Sequence, residues 1–111
     1  MEDNNELIHV AMTIIMKAGN ARSNANRALD LLAECDFLVA RKELEQARIN
    51  ITEAHQAQTT IIQNEAAGAR YKSCLLFTHA QDTLMTIMSE VNIAEKMVNI
   101  FEKLITNKSI G

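Results

Sequence analysis

From Leu7 to Leu32 an apolar side chain returns after four residues, then three, then four, without a miss: Leu7, Ala11, Ile14, Ala18, Ala21, Ala25, Ala28 and Leu32. Only a helix, turning once every ~3.6 residues, brings such positions onto one side. A strand would scatter them over both faces. The spacing therefore predicts a first helix over residues 6–33 with a single buried stripe.

Nothing in the chain stops such helices early. It has no proline, and its glycines stand at Gly19, Gly68 and Gly111. A second stripe, Phe37, Ala40, Leu44, Ala47, Ile51, Ala54, Gln58 and Ile61, predicts a helix over 37–67. Asp36 is placed to cap its start, and Gly68 marks the break after it. A third stripe, Ala80, Leu84, Ile87, Val91, Ala94, Val98, Phe101 and Ile105, predicts a helix over 73–105. The tail 106–111 is expected to fray. Each segment is about 30 residues, hence roughly 45 Å long. Short connections fold such rods back on one another, so the expected fold is all-α. It is an antiparallel up-down-up three-helix bundle, a single domain spanning residues 1–111. Alanine at many stripe positions lets the helix axes approach closely.

Charge and punctuation exclude several function classes. The net charge is −3 with no basic cluster, which argues against nucleic acid as a partner. No apolar run nears the ~20 residues needed to cross a bilayer. The acidic start Met1-Glu2-Asp3 is wrong for a signal peptide. A cytoplasmic protein with no direct membrane insertion is expected, its Cys35 and Cys74 reduced and without metal-ligand spacing.

The third segment carries a second series, Leu75, Thr78, Asp82, Met85 and Ser89, nearly opposite its core stripe. A peripheral helix is normally solvated there. This face is half apolar and low in charge, so self-association through the third helix is expected; a mixed surface face is the alternative. His79 lies about 100° around from both stripes, at the seam where two subunits would meet. A neutral imidazole can accept a phosphoryl group and release it again. Asp82, three residues on, shares its surroundings.

Several residues support only ordinary readings. The methionines at helical spacings, Met12, Met16, Met85, Met88 and Met97, read as core filler. Glu34, Glu43, Glu45 and Glu53 read as a solvated face. His55 reads as a hydrogen-bonded packing or surface residue, and His9 as exposed. Arg22 either pairs with an acid or faces a partner. Cys74 lies some 140° around the helix from His79, too far for a Cys/His nucleophile pair.

Four blocks, in order, carry a family resemblance: Gly19-Asn20-Ala21-Arg22-Ser23, Ala54-His55-Gln56-Ala57-Gln58-Thr59, Glu65-Ala66-Ala67-Gly68 and His79-Ala80-Gln81-Asp82 with Leu84-Met85-Thr86. The chain resembles the lactose/cellobiose class of enzyme IIA proteins of the bacterial sugar phosphotransferase system, which includes the N,N'-diacetylchitobiose type. The resemblance implies a homotrimer of three-helix subunits, a nine-helix bundle. It implies that His79 is the phosphoryl acceptor, modified on Nε2. The implied donor is the histidine phosphocarrier HPr, and the implied acceptor is a cysteine of the cognate enzyme IIB. Asp82 matches an aspartate whose three copies meet on the trimer axis and bind a divalent metal, usually Mg²⁺. Oxygen-only ligation suits that hard ion, which would offset three converging charges. Gln81 matches a glutamine bordering the phosphohistidine pocket. Thr83 stands where many members have histidine, and its hydroxyl can donate to a phosphoryl oxygen; Thr86 is a further donor. A phosphocarrier for uptake of cellobiose or a related β-glucoside, or else lactose, follows from the resemblance. The rival readings are a non-catalytic helical-bundle adaptor and a regulator that acts through its phosphorylation state.

Overall fold

The computed structural model describes the backbone of residues 3–110 and the side chains of residues 5–107. The acidic start at Met1 and Glu2 and the terminal Gly111 lie outside the described residues. Three helices make up the protein: α1 (Asp3–Leu32), α2 (Phe37–Ala66) and α3 (Leu75–Ile110). They lie side by side in a rod of 65 × 21 × 17 Å.

The core is the predicted set of stripes, with two corrections. Every residue of the first stripe is buried, as are Ala40 to Ile61 of the second, apart from the half-buried Gln58. On α3 the buried run goes from Ala80 to Val98 and stops there. Phe101 and Ile105, expected in the core, are exposed. The expected frayed tail is also wrong, because α3 stays helical to Ile110. The two corrections share a cause. No glycine or proline interrupts α3, so each added residue extends the helix by one more hydrogen bond. α3 therefore runs on past the end of α1, where Phe101 and Ile105 remain 43% and 41% exposed.

That first turn is tight. The Asp36 N–H donates to the Leu31 carbonyl at 3.1 Å and the Cys35 N–H to the Leu32 carbonyl at 3.0 Å. This pair of bonds needs a left-handed residue at its corner, and Cys35 takes that role with φ 57°. Asp36 then caps α2, its carboxylate accepting from the Val39 N–H at 3.2 Å. The same motif closes α2 around Gly68 (φ 112°), with Ala69 N–H bound to the Asn64 carbonyl at 2.9 Å. The connection that follows reaches Cys74, so α3 starts at Leu75 rather than near residue 73. Asn64 steadies it by donating to the Tyr71 hydroxyl at 3.0 Å.

Polar bridges set the register of each helix pair. Between α1 and α2, buried Asn50 donates to the Asn24 side-chain oxygen Oδ1 at 3.0 Å, and the Asn24 side-chain nitrogen donates to Glu43 at 3.0 Å. Glu43, expected on a solvated face, is thus half-buried between Asn24 and Arg27. Between α2 and α3, the sparsest seam, Arg41 engages Glu102 and Asn99 while Arg48 engages Glu95 and Asn92. Between α1 and α3, Arg22 grips Glu90 with two bonds of 2.9 Å. Arg22 therefore pairs with an acid. These hydrogen bonds hold the Glu90 carboxyl below the ordinary carboxylate range.

Gly19 sits in mid-α1, where glycine costs roughly 0.5–1 kcal/mol relative to alanine. A Cβ built there meets nothing within 4 Å, so packing within the protomer does not require it.

Candidate functional site

The Arg22–Glu90 bridge joins residues 68 apart on two helices that run the same way. The same offset places His79 level with Ala11 and Thr86 level with Ala18. Heptad spacing then defines the facing rows. Ile8 and Ile15 fall on the flank of α1 that carries Arg22, and Leu76 and Thr83 on the flank of α3 that carries Glu90. One step farther out, Met12 and Gly19 line α1 opposite His79 and Thr86 on α3.

His79 stands in the outer row. It is exposed, and its ring makes no hydrogen bond or ion pair among the described residues. Across the seam lies apolar surface: Ile8, Met12 and Met16 are 43%, 53% and 59% exposed. Met12 and Met16, like Met85 and Met97, were expected in the core and are instead exposed; Met88 alone packs half-buried against it. They sit one or two positions off the buried stripe, which turns a flexible apolar side chain outward. An unencumbered imidazole beside uncharged, deformable side chains suits contact with another macromolecule.

The other sequence-predicted residues divide around α3. Asp82 is exposed and makes no hydrogen bond among the described residues. Thr86 is exposed, and no hydrogen bond of its hydroxyl is formed among the described residues. Thr83 is half-buried and donates its one hydroxyl hydrogen to the His79 carbonyl at 2.8 Å, so that donor is occupied. Gln81 does not lie beside the His79 ring. Two residues along a helix is a turn of about 200°, and Gln81 lines the groove between α2 and α3 with Cys74, Phe77 and Thr78. His55 is exposed, 3.4 Å from the Thr59 hydroxyl.

No three His, Cys, Asp or Glu side chains converge to hold a metal among the described residues. Asp82 has the donor chemistry for a hard cation but supplies one carboxylate per chain. No helix among the described residues is long and apolar enough to cross a membrane.

The second α3 series is longer than Leu75 to Ser89. Beyond Ser89 it continues through Ile93, Met97, Ile100 and Leu104, spaced four, three and four apart and all exposed. The four-three-four spacing of these apolar residues is the signal in the sequence that carries the series onward.

Comparison with known proteins gives concordant results. The family profile described as "PTS system, Lactose/Cellobiose specific IIA subunit" matches residues 9–102. The lichenan-specific phosphotransferase enzyme IIA component of Bacillus subtilis (strain 168) is 38% identical over 101 residues, covering 91% of this chain and 92% of that protein. Among solved structures, PtcA from S. mutans superposes with a TM-score of 0.85 at 37% identity, over 88% of this chain and 96% of the other. The IIA(Chitobiose) chain solved in complex with HPr, from the N,N'-diacetylchitobiose branch of the Escherichia coli phosphotransferase system, superposes with a TM-score of 0.76 at 36% identity. It covers 88% of this chain and 95% of the other.

Proposed function

This chain belongs to the lactose/cellobiose-specific IIA subunits of the phosphotransferase system, phosphotransferase relay components, and from that premise we infer that His79 carries the phosphoryl group. The observation that supports this is the free, exposed His79 ring beside the apolar Ile8–Met12–Met16 flank. HPr, the partner in the Escherichia coli complex, is the donor. In the forward step the neutral His79 Nε2 attacks phosphorus, the bond to the donor's histidine nitrogen breaks, and the donor leaves with its ring electron pair. The second step moves the group from Nε2 to the sulfur of a cysteine on enzyme IIB. Both steps ask for positioning and for donors to a dianionic group rather than for covalent help from the protein. Thr86 is a free donor on the same row as His79.

Three copies assemble along the exposed α3 face that runs from Leu75 through Asp82 to Leu104. Each α3 then turns its Gln81 flank toward the His79 flank of the next subunit. Gln81 thereby borders a phosphohistidine pocket that is not its own. Three Asp82 carboxylates come together on the axis and would hold Mg²⁺, which offsets their mutual repulsion. The transported sugar is cellobiose or a related β-glucoside, with lactose second. The site of action is the cytoplasm.

The test is incubation with phosphoenolpyruvate and the general phosphotransferase proteins, read by intact-protein mass. The expected result is an acid-labile gain of about 80 Da that vanishes in His79→Ala and leaves on addition of enzyme IIB. Under active donor conditions, no adduct on the wild-type protein would refute the relay. A group that never moves to enzyme IIB would favour a phosphorylation-state regulator.

A further inference from the structure

We propose that Gly19 is a docking residue for the phosphoryl donor, left without a side chain so that the donor's backbone can close against α1 beside His79. The proposal deepens the phosphocarrier reading and rests on it.

Gly19 has no role in the protomer that alanine would not fill better. It lies in mid-helix at an exposed position, and a Cβ there meets nothing within 4 Å. Glycine at such a place weakens the helix, so its lack of a side chain serves something outside the protomer. Its location says what. Gly19 is seven residues from Met12, hence on the same row, about 10 Å farther along. The Arg22–Glu90 register sets Met12 across from His79 and Gly19 across from Thr86. A macromolecule that approaches the His79 ring from the α1 side lies over that row.

The charged side chains there are paired. Lys17 is tied to Glu53 at 2.9 Å and Arg22 to Glu90, and Met12 and Met16 supply exposed apolar surface beside Gly19. The bare backbone at Gly19 follows two yielding side chains, Met16 one turn before it and Met12 two turns before it. A helix with small or apolar residues on its contact face fits such a surface. A second copy of this chain is the competing occupant. The stripe that suits self-association, from Leu75 to Leu104, lies on the outward face of α3, whereas the Gly19 row is continuous with the His79 ring that HPr must reach.

Gly19→Ala and Gly19→Leu separate the possibilities. Both open onto empty space in the protomer, so both are expected to fold, and Gly19→Ala is expected to melt roughly 3–6 °C higher through better helix propensity. Phosphoryl transfer from phospho-HPr is then measured against HPr concentration. KM is expected to rise several-fold in Gly19→Ala and about tenfold or more in Gly19→Leu, with kcat at saturation unchanged. Sedimentation is expected to show the wild-type assembly for both. A wild-type KM in Gly19→Leu overturns the proposal. So does a change in assembly state, which would give this surface to a second copy. Failure of the wild-type protein itself to accept a phosphoryl group is a different outcome, and it refutes the phosphocarrier reading beneath.

Discussion

Replacing Asn50 by aspartate changes one nitrogen to oxygen and leaves the shape of the side chain intact. Asn50 is 7% exposed and Asn24 is 6% exposed, and their hydrogen bond ties α2 to α1. In the variant, the Asn24 carbonyl faces another acceptor. Flipping the Asn24 amide does not help, because its nitrogen is already committed to Glu43. The same Asn50 nitrogen also donates to the Gln46 backbone carbonyl at 3.2 Å, so two acceptor–acceptor contacts remain either way. Losing the bond costs about 1 kcal/mol and burying an unpaired carboxylate adds more, so Asn50→Asp should lose about 2–4 kcal/mol at pH 7. The size of the loss should depend on acidity. Burial raises the folded-state pKa of the new carboxyl above its unfolded value of about 3.9, so the folded state binds the proton more tightly. Stability then falls as pH rises through that window, and acid restores it. Urea unfolding followed by circular dichroism, at fixed protomer concentration, should show the gap to wild type narrowing between pH 7 and pH 4. A loss below about 0.5 kcal/mol, or a gap that does not shrink in acid, would refute the register role given to this pair.

Cys35→Gly should stabilise the protein by about 0.5–1 kcal/mol, since the left-handed corner strains any residue with a Cβ; a lower melting temperature would contradict that. Asp82→Leu should leave the assembly intact or tighten it, because three converging charges are replaced by apolar surface. Sedimentation showing monomers that Mg²⁺ cannot reassemble would count against the proposed packing. Glu43, Glu90 and Glu95 are each held below the ordinary carboxylate value of 4.5, chiefly by hydrogen bonds from Arg27, Arg22 and Arg48. The stability these bridges contribute is complete above that value and is lost as pH falls through the lowered folded-state values. A denaturation series from pH 6 to pH 3 should therefore decline at its acid end, and a flat series would rule the bridges out as contributors.

What could be read in the sequence was whatever one helix determines by itself. The eight stripe residues from Leu7 to Leu32 proved buried, and Asp36 and Gly68 mark the α2 ends where their chemistry places them. What could not be read depended on where neighbouring helices begin and end. Phe101 and Ile105 continue the α3 stripe in perfect period, yet α1 has already ended at Leu32 and both stay exposed. Met12 and Met16 repeat at helical spacing, and only the position of α3 shows that they line the His79 flank. Gln81 sits two residues from His79 and faces another groove, a separation that wheel geometry foretells once both are placed on one helix.

Half of the buried apolar side chains in this rod are alanine. Each withdraws little area from water, so a lone protomer has a small hydrophobic reserve for its length. The exposed Ile93, Met97, Ile100 and Leu104 hold apolar surface in reserve, to be spent only when copies meet. Under the trimeric reading, folding and association become one equilibrium, and dilution acts as a denaturant. The rate at which a cell makes the chain would then set how much of it is folded, and a weakly expressed copy would fall to proteases before it could carry a single phosphoryl group.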